Sequence, residues 1–199
     1  EGVPVLPASE VPGLVDGDGK FALRYTRLFR RAVLGRSLLE QVRREWRAQI
    51  EKVMSAGLTV THLDSHKHIH MHPQLLELAL VLAEEFGIRR MRLSRPLHLL
   101  SGSKSVVLGL LAVWARRRAA RRGMRMPDVL LGLEASGQMS EARMLALFEN
   151  PWRGVRELMV HPACPQADLD RLLSEGYGWI ADYQFMDELA ALCSPTVRQ

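Results

Sequence analysis

The sequence predicts an α/β fold built on a parallel sheet or a βα barrel, and three observations lead there. Short β-prone runs and helix-periodic runs alternate along the 199 residues. Apolar residues make up 47% of the chain, enough for a sizeable buried core. Histidine-bearing motifs fall at the C-terminal ends of predicted strands, where parallel α/β folds place functional groups. No internal repeat or flexible linker interrupts the chain, so residues 1–199 are expected to form a single domain.

Residues 1–20 hold three prolines and an Asp-Gly-Asp-Gly turn and read as a loop. Over 36–55, Leu39, Val42, Trp46, Ile50 and Val53 recur at spacings of three and four, with Gly57 as a stop, which predicts a helix. The run 58–65 (LTVTHLDS) is β-prone and predicts a first strand. Pro73 suits a first helical turn and opens a helix over 74–86, closed by Gly87. Further strands are expected at 88–93, 129–133, 155–161 and 177–180, five in all. Helices are expected over 105–122, 141–148, 166–174 and 187–192.

The net charge of +5 is unevenly spread, because residues 87–127 hold ten Arg, one Lys and no acid. The densest part, 115–122 (ARRRAARR), follows the apolar stretch 106–114. This pattern suits anionic headgroups or phosphates, or else a solvated Arg-rich helix packed on its own domain. Nucleic acid is not favoured, since neither interleaved aromatic residues nor zinc-finger spacing accompanies the arginines. Two cysteines, Cys164 and Cys193, are too few for a disulfide framework or a thiolate zinc site and fit a cytoplasmic, reducing setting. Residues 1–20 lack the basic start and apolar stretch of a secretory signal.

Five of the seven histidines lie within eleven residues, His62, His66, His68, His70 and His72, interleaved with Asp64. In an extended segment His62, Asp64, His66, His68 and His70 would share one face. Imidazoles beside a carboxylate suit zinc and other divalent metals, and the carboxylate can instead orient a ligand histidine. Pro73 starts a helix, so the run does not stay extended throughout: one or two histidines bind and the others line the pocket. Adventitious metal uptake by a His-rich tract is the competing reading. His161 ends a strand in E-L-M-V-H-P-A, where Pro162 stops it, and its imidazole can act as acid or base near neutral pH. His98 follows Pro96 in an apolar loop and is read as structural.

The run T-H-L-D-S-H-K-H-I-H-M-H-P, followed about ninety residues later by E-L-M-V-H-P-A, resembles the YdjC-like carbohydrate deacetylases, which include chitooligosaccharide deacetylases. The opening V-P-V-L-P-x-S-E-V-P, the G-L-E-A-S-G-Q-M segment at 132–139 and the D-E-L-A-A-L-C-S-P-T-V-R tail are similar to the hopanoid-biosynthesis-associated branch. The resemblance implies an irregular (β/α) barrel that removes the acetyl group from an N-acetylated sugar amine, using one divalent ion, magnesium or zinc, held by an Asp and two His. By motif His66 is a metal ligand, His68, His70 and Asp64 bind the ion or orient the groups that do, and His161 matches the later His-Pro position. The family's Asp-Asp-Phe-Gly and Gly-x-His motifs do not occur in this sequence, which therefore resembles the C-terminal two-thirds of a member, a barrel incomplete at its N-terminus. Gln138 stands where the family pattern leads one to expect histidine.

The expected chemistry is metal-assisted amide hydrolysis, with Asp64 and His161 as candidate catalytic groups and His161 protonating the departing amine. Arg92 and Arg95, just after a strand, are candidate substrate contacts. On the hopanoid-branch reading the substrate is a glycolipid, and 105–122 would rest on a membrane surface. The rival expectations are a catalytically inactive remnant and a basic lipid- or nucleic-acid-binding module.

Overall fold

A computed structural model describes residues 2–22, 33–93, 103–149, 151, 153–163, 166–174 and 178–198; side chains at 103–109, 166–168 and 179 are outside the description. The chain is mixed α/β, mostly helical, with a small parallel sheet. It divides into two compact units, one holding the described residues up to 126 and the other those from 127 onward.

In the first unit, the Asp16 carboxylate accepts backbone N–H bonds from Asp18 and Lys20, at 3.1 and 3.0 Å. This closes the expected turn and brings Val15 opposite Phe21 in an antiparallel bridge. Helix α1, Arg36–Ser55, matches the predicted span and buries Val42 and Ile50. Glu45 is also buried on it, because its carboxylate accepts the backbone N–H groups of Val5 and Leu6, at 2.9 and 3.0 Å, and the Gln49 side chain. A carboxylate that accepts three hydrogen bonds is compensated for leaving water, and here it also pins the N-terminal segment to α1. Helix α2, Pro73–Glu85, starts on Pro73 as expected and buries Leu75 in a core beside Val11 and Val42, and Leu76, Ala79, Leu80, Leu82 and Ala83 in the unit's larger one.

Helix α3, Ser103–Ala120, inserts an alanine stripe, Ala112, Ala115 and Ala119, into that same core. On its basic end Arg118 pairs with Glu77 of α2 through two bonds of 2.5 and 2.9 Å. Arg122, just beyond the helix, pairs with Glu77 and Glu84 at 3.0 and 3.2 Å. Two of the densely placed arginines are thus neutralised within the unit, while Arg117 and Arg121 face solvent.

The strands expected at 58–65 and 88–93 are not continuous strands. Leu63 pairs with Met91, and Arg90 with Arg125, each as an isolated parallel bridge. The pairing is short because the chain turns away after Ser65, and because the third segment is confined between Gly123 and Pro127, which has no N–H to donate. Direction follows the parallel expectation; length does not.

In the second unit, β1, Val129–Leu131, pairs in parallel with β2, Arg156–Leu158, Val129 opposite Arg156 and Leu131 opposite Leu158. Both are shorter than expected. Gly132 turns the chain out of β1 at φ +86, and a Cβ there would lie 2.7 Å from the Met159 carbonyl oxygen, so glycine is required. Helices α4, Glu141–Glu149, α5, Gln166–Ser174, and α6, Phe185–Cys193, follow the predicted order, and a short helix that the sequence reading did not mark, α7, Pro195–Arg198, comes after them. Where a fifth strand was expected at 177–180, the described residues 178–180 lie in a 3-10 turn, Gly178–Asp182; β-prone residues without an edge to pair with do not form a strand. The core of this unit is Met139, Met144 and Ala191. Among the described residues the extended segments do not close into a barrel.

Candidate active site at the histidine turn

The chain is extended through Ser65 and then folds into a 3-10 turn, His66–Met71, in which Lys67 and His68 have φ of +53. As Pro73 leads one to expect, the run does not stay extended, and the imidazoles do not form a single wall. Left-handed backbone at a residue with a Cβ costs on the order of 1–2 kcal/mol, and two in succession persist only where the surroundings hold them.

His70 provides the hold. Its Nε2 donates to the Arg92 carbonyl at 2.5 Å, which fixes the proton on Nε2 and leaves Nδ1 to accept from the Ser65 hydroxyl, also at 2.5 Å. The same Ser65 oxygen accepts the His70 backbone N–H at 3.1 Å, and His68 N–H closes the turn on the Ser65 carbonyl at 2.9 Å. His70 is 3% exposed, and burial holds its pKa below the usual histidine value even though the Arg92 carbonyl and Asp64 favour the proton. With both nitrogens engaged, this neutral ring ties the turn to the Leu63–Met91 pairing and presents no lone pair outward. His72 is buried at the entrance to α2.

Asp64 and His68 lie on the open side of that staple. Asp64 Oδ2 accepts from Arg92 Nη1 at 2.5 Å. His68 Nδ1 sits 3.7 Å from Asp64 Oδ1, outside hydrogen-bond range, and has no hydrogen-bond partner although it is buried. The His68 and His70 rings meet edge to face at 6.5 Å. Burial alone would raise the Asp64 pKa; the His68 ring, the Arg92 charge and the Ser65 N–H outweigh it and hold the carboxyl below its usual range. His66 is exposed at the start of the turn, and His62 is exposed beside the Thr61 hydroxyl at 3.0 Å.

The structure thus brings Asp64, His68, His70 and Arg92 together, whereas Arg95 and His98 lie outside the described residues. Among the described residues no group of three His, Cys, Asp or Glu side chains converges as a cation cage. An ionised carboxylate beside a buried imidazole nitrogen that no hydrogen bond satisfies is nevertheless a donor pair of the type a divalent cation takes, so the residues present fit part of a metal site.

In the second unit His161 follows β2. Its backbone N–H bonds to the Glu188 carboxylate, whose other oxygen accepts the Met139 N–H at 2.9 Å; Glu188 is 0% exposed. The His161 ring meets Tyr183 edge to face at 5.1 Å, and Tyr183 stacks on Phe185 at 5.3 Å. The Tyr183 hydroxyl lies 3.2 Å from Ser136 Oγ. Gln138 is exposed in the preceding turn, where its carbonyl accepts from Arg143 at 2.7 Å.

Sequence reasoning did not single out Ser65, Glu188 or Tyr183. Glu188 carries a signal, an acid three residues before Ala191 on the buried face of an otherwise apolar helix. Ser65 and Tyr183 carry none that spacing reveals.

The chain is 40% identical over 81 residues to a carbohydrate deacetylase of Brevibacillus brevis, a stretch covering 41% of this chain and 30% of that protein. It is 29% identical over 194 residues to a carbohydrate deacetylase of Geobacillus stearothermophilus, covering 96% of this chain and 64% of that one. A mouse carbohydrate deacetylase is 29% identical over 220 residues, covering 100% and 70%. The chain thus spans less than two-thirds of the Brevibacillus and Geobacillus relatives. Residues 1–199 match the sequence pattern of the family described as YdjC-like protein, and the chain belongs to that family.

Proposed function

We propose that the chain contributes to a metal-dependent carbohydrate deacetylase that hydrolyses the N-acetyl group of an N-acetylglucosamine-type sugar carried on a hopanoid glycolipid. The observation that carries this reading is the Asp64–His68 pair, oriented by Arg92 and by the His70 staple, in a chain whose relatives are named carbohydrate deacetylases. Asp64, His66 and His68 would hold the ion, which supplies Lewis-acid polarisation of the acetyl carbonyl when bound. A carboxyl held below its usual range is ionised at neutral pH, which suits Asp64 to gripping and orienting more than to accepting a proton. In the hydrolysis water adds to the acetyl carbon, the C–N bond breaks, and the departing nitrogen takes a proton to leave as free amine beside acetate. The histidine of the E-L-M-V-H-P-A segment, His161, is the proposed proton donor, by its motif.

Glycolipid contact through 105–122 is proposed on the solvent-facing Leu110, Val113 and Trp114, followed by Arg117 and Arg121. No helix among the described residues is long and apolar enough to cross a membrane, so contact would be peripheral. The test is acetate and amine release from N-acetylated chitooligosaccharide by the magnesium- or zinc-loaded chain. Release that falls by about two orders of magnitude or more in Asp64→Asn supports the reading. A folded, metal-loaded chain that releases no acetate supports a second reading, a chain that does not turn over substrate. That reading draws on the absence of three convergent ligands among the described residues.

A further inference from the structure

The parallel bridges give the first unit two ends. Asp64 and Arg92 stand where the paired segments exit; at the end where they enter lies a cleft of about 550 Å³. Its walls are Thr61, Ile88, Arg89, Arg90 and Arg125, and Gly87 and Gly123 leave its mouth open, since a Cβ at either would meet nothing within 4 Å. Three arginines therefore line one concavity, with no acidic residue beside them in its lining. The arrangement differs from that of the other arginines nearby. Arg118 and Arg122 are neutralised by Glu77 and Glu84, and Arg47 by Glu85, whereas Arg89, Arg90 and Arg125 make no ion pair among the described residues.

Gathering like charges without a counter-ion is unfavourable, and the cost falls when an anion binds between them. Guanidinium stays charged at every physiological pH and pairs with phosphate oxygens in a two-pronged fashion. The volume is that of a small-molecule site, within the roughly 300–1,000 Å³ usual for ligand pockets, and three arginines are few for a nucleic-acid footprint, which spreads over many phosphates. We propose that this cleft is an anion site for a phosphate-bearing group, separate from the histidine turn. The group is either a soluble phosphorylated metabolite or a phospholipid headgroup, and the chemistry that recognises both is the same.

Calorimetric titration of the full chain with inorganic pyrophosphate at low salt tests it. Saturable binding that weakens about tenfold or more in Arg90→Gln and in Arg125→Gln, with unchanged circular dichroism, is the expected result. Lys52→Gln and Arg153→Gln, exposed cations outside the cleft, are expected to bind as the parent does. A parallel arm measures flotation with phosphatidylcholine vesicles containing phosphatidic acid. Vesicle binding lost in the cleft variants, without pyrophosphate binding, assigns the headgroup source, and pyrophosphate binding assigns the soluble one. The proposal is overturned if neither probe binds, if the Lys52 and Arg153 variants lose as much as the cleft variants, or if nucleic acid alone competes for the arginines.

Discussion

Ser65 does two jobs with one oxygen, accepting the His70 backbone N–H and donating to the His70 ring. Removing it leaves a buried imidazole nitrogen unsatisfied, so Ser65→Ala is expected to destabilise the chain by about 1–3 kcal/mol in urea unfolding. A change near zero would mean that the His70 staple does not hold the turn. Lys67 gives the opposite sign. Its φ of +53 suits glycine, and Lys67→Gly should relieve on the order of 1 kcal/mol of strain, seen as a raised urea midpoint; a lowered midpoint would contradict the left-handed turn. Gly132→Ala should be damaging, since a Cβ would meet the Met159 carbonyl oxygen in addition to the positive φ; a loss of about 2 kcal/mol or more is expected. The sequence marks Asp64 and the histidines as chemical residues by their density alone. It does not show which of them face inward, because that depends on two left-handed residues that carry no glycine to announce them.

Among the elements, α2 carries the first unit's core with one face and its charge pairing with another. Leu80 is fully buried in that core, and Leu80→Ala is expected to cost about 2–5 kcal/mol. On the outer face, the hydrogen bonds and charge of Arg118, assisted by Arg122, hold the Glu77 carboxyl below its usual range. A carboxyl whose pKa is lower folded than unfolded stabilises the fold above the unfolded value, about 4.3, and loses that contribution as pH falls through the lowered folded value. Glu77→Gln should therefore flatten the fall in stability below about pH 4.3 and leave the slope near neutrality unchanged. An acid limb identical in both proteins would show that the pair contributes nothing. The helices were legible because their apolar residues recur at three and four with Pro73, Gly57 and Gly87 as punctuation. The paired segments were legible in direction but not in length, since 58–65 is β-prone by composition and strand length is set by the partner's edge; at 178–180 β-prone composition gave a 3-10 turn instead.

At the scale of the whole molecule, parallel pairing recurs in both units, at Leu63–Met91 and Arg90–Arg125 in one and between β1 and β2 in the other. Each time, a candidate site residue follows the paired segment, Asp64 and Arg92 in the first unit and His161 in the second. That rule was readable from the alternation of elements and the Pro162 stop. The buried carboxylates were not, because Glu45 and Glu188 act on backbone N–H groups 39 or more and 27 or more residues away, a distance over which local pattern carries no information. On the proposed function, the turn after Ser65 presents Asp64 and His68, with His66, to a divalent cation. Zinc titration of the chain followed by calorimetry is the decisive experiment. One saturable site is expected, lost in His68→Ala and in His66→Ala and retained in His62→Ala. Weak, non-stoichiometric uptake that all three variants share would contradict it.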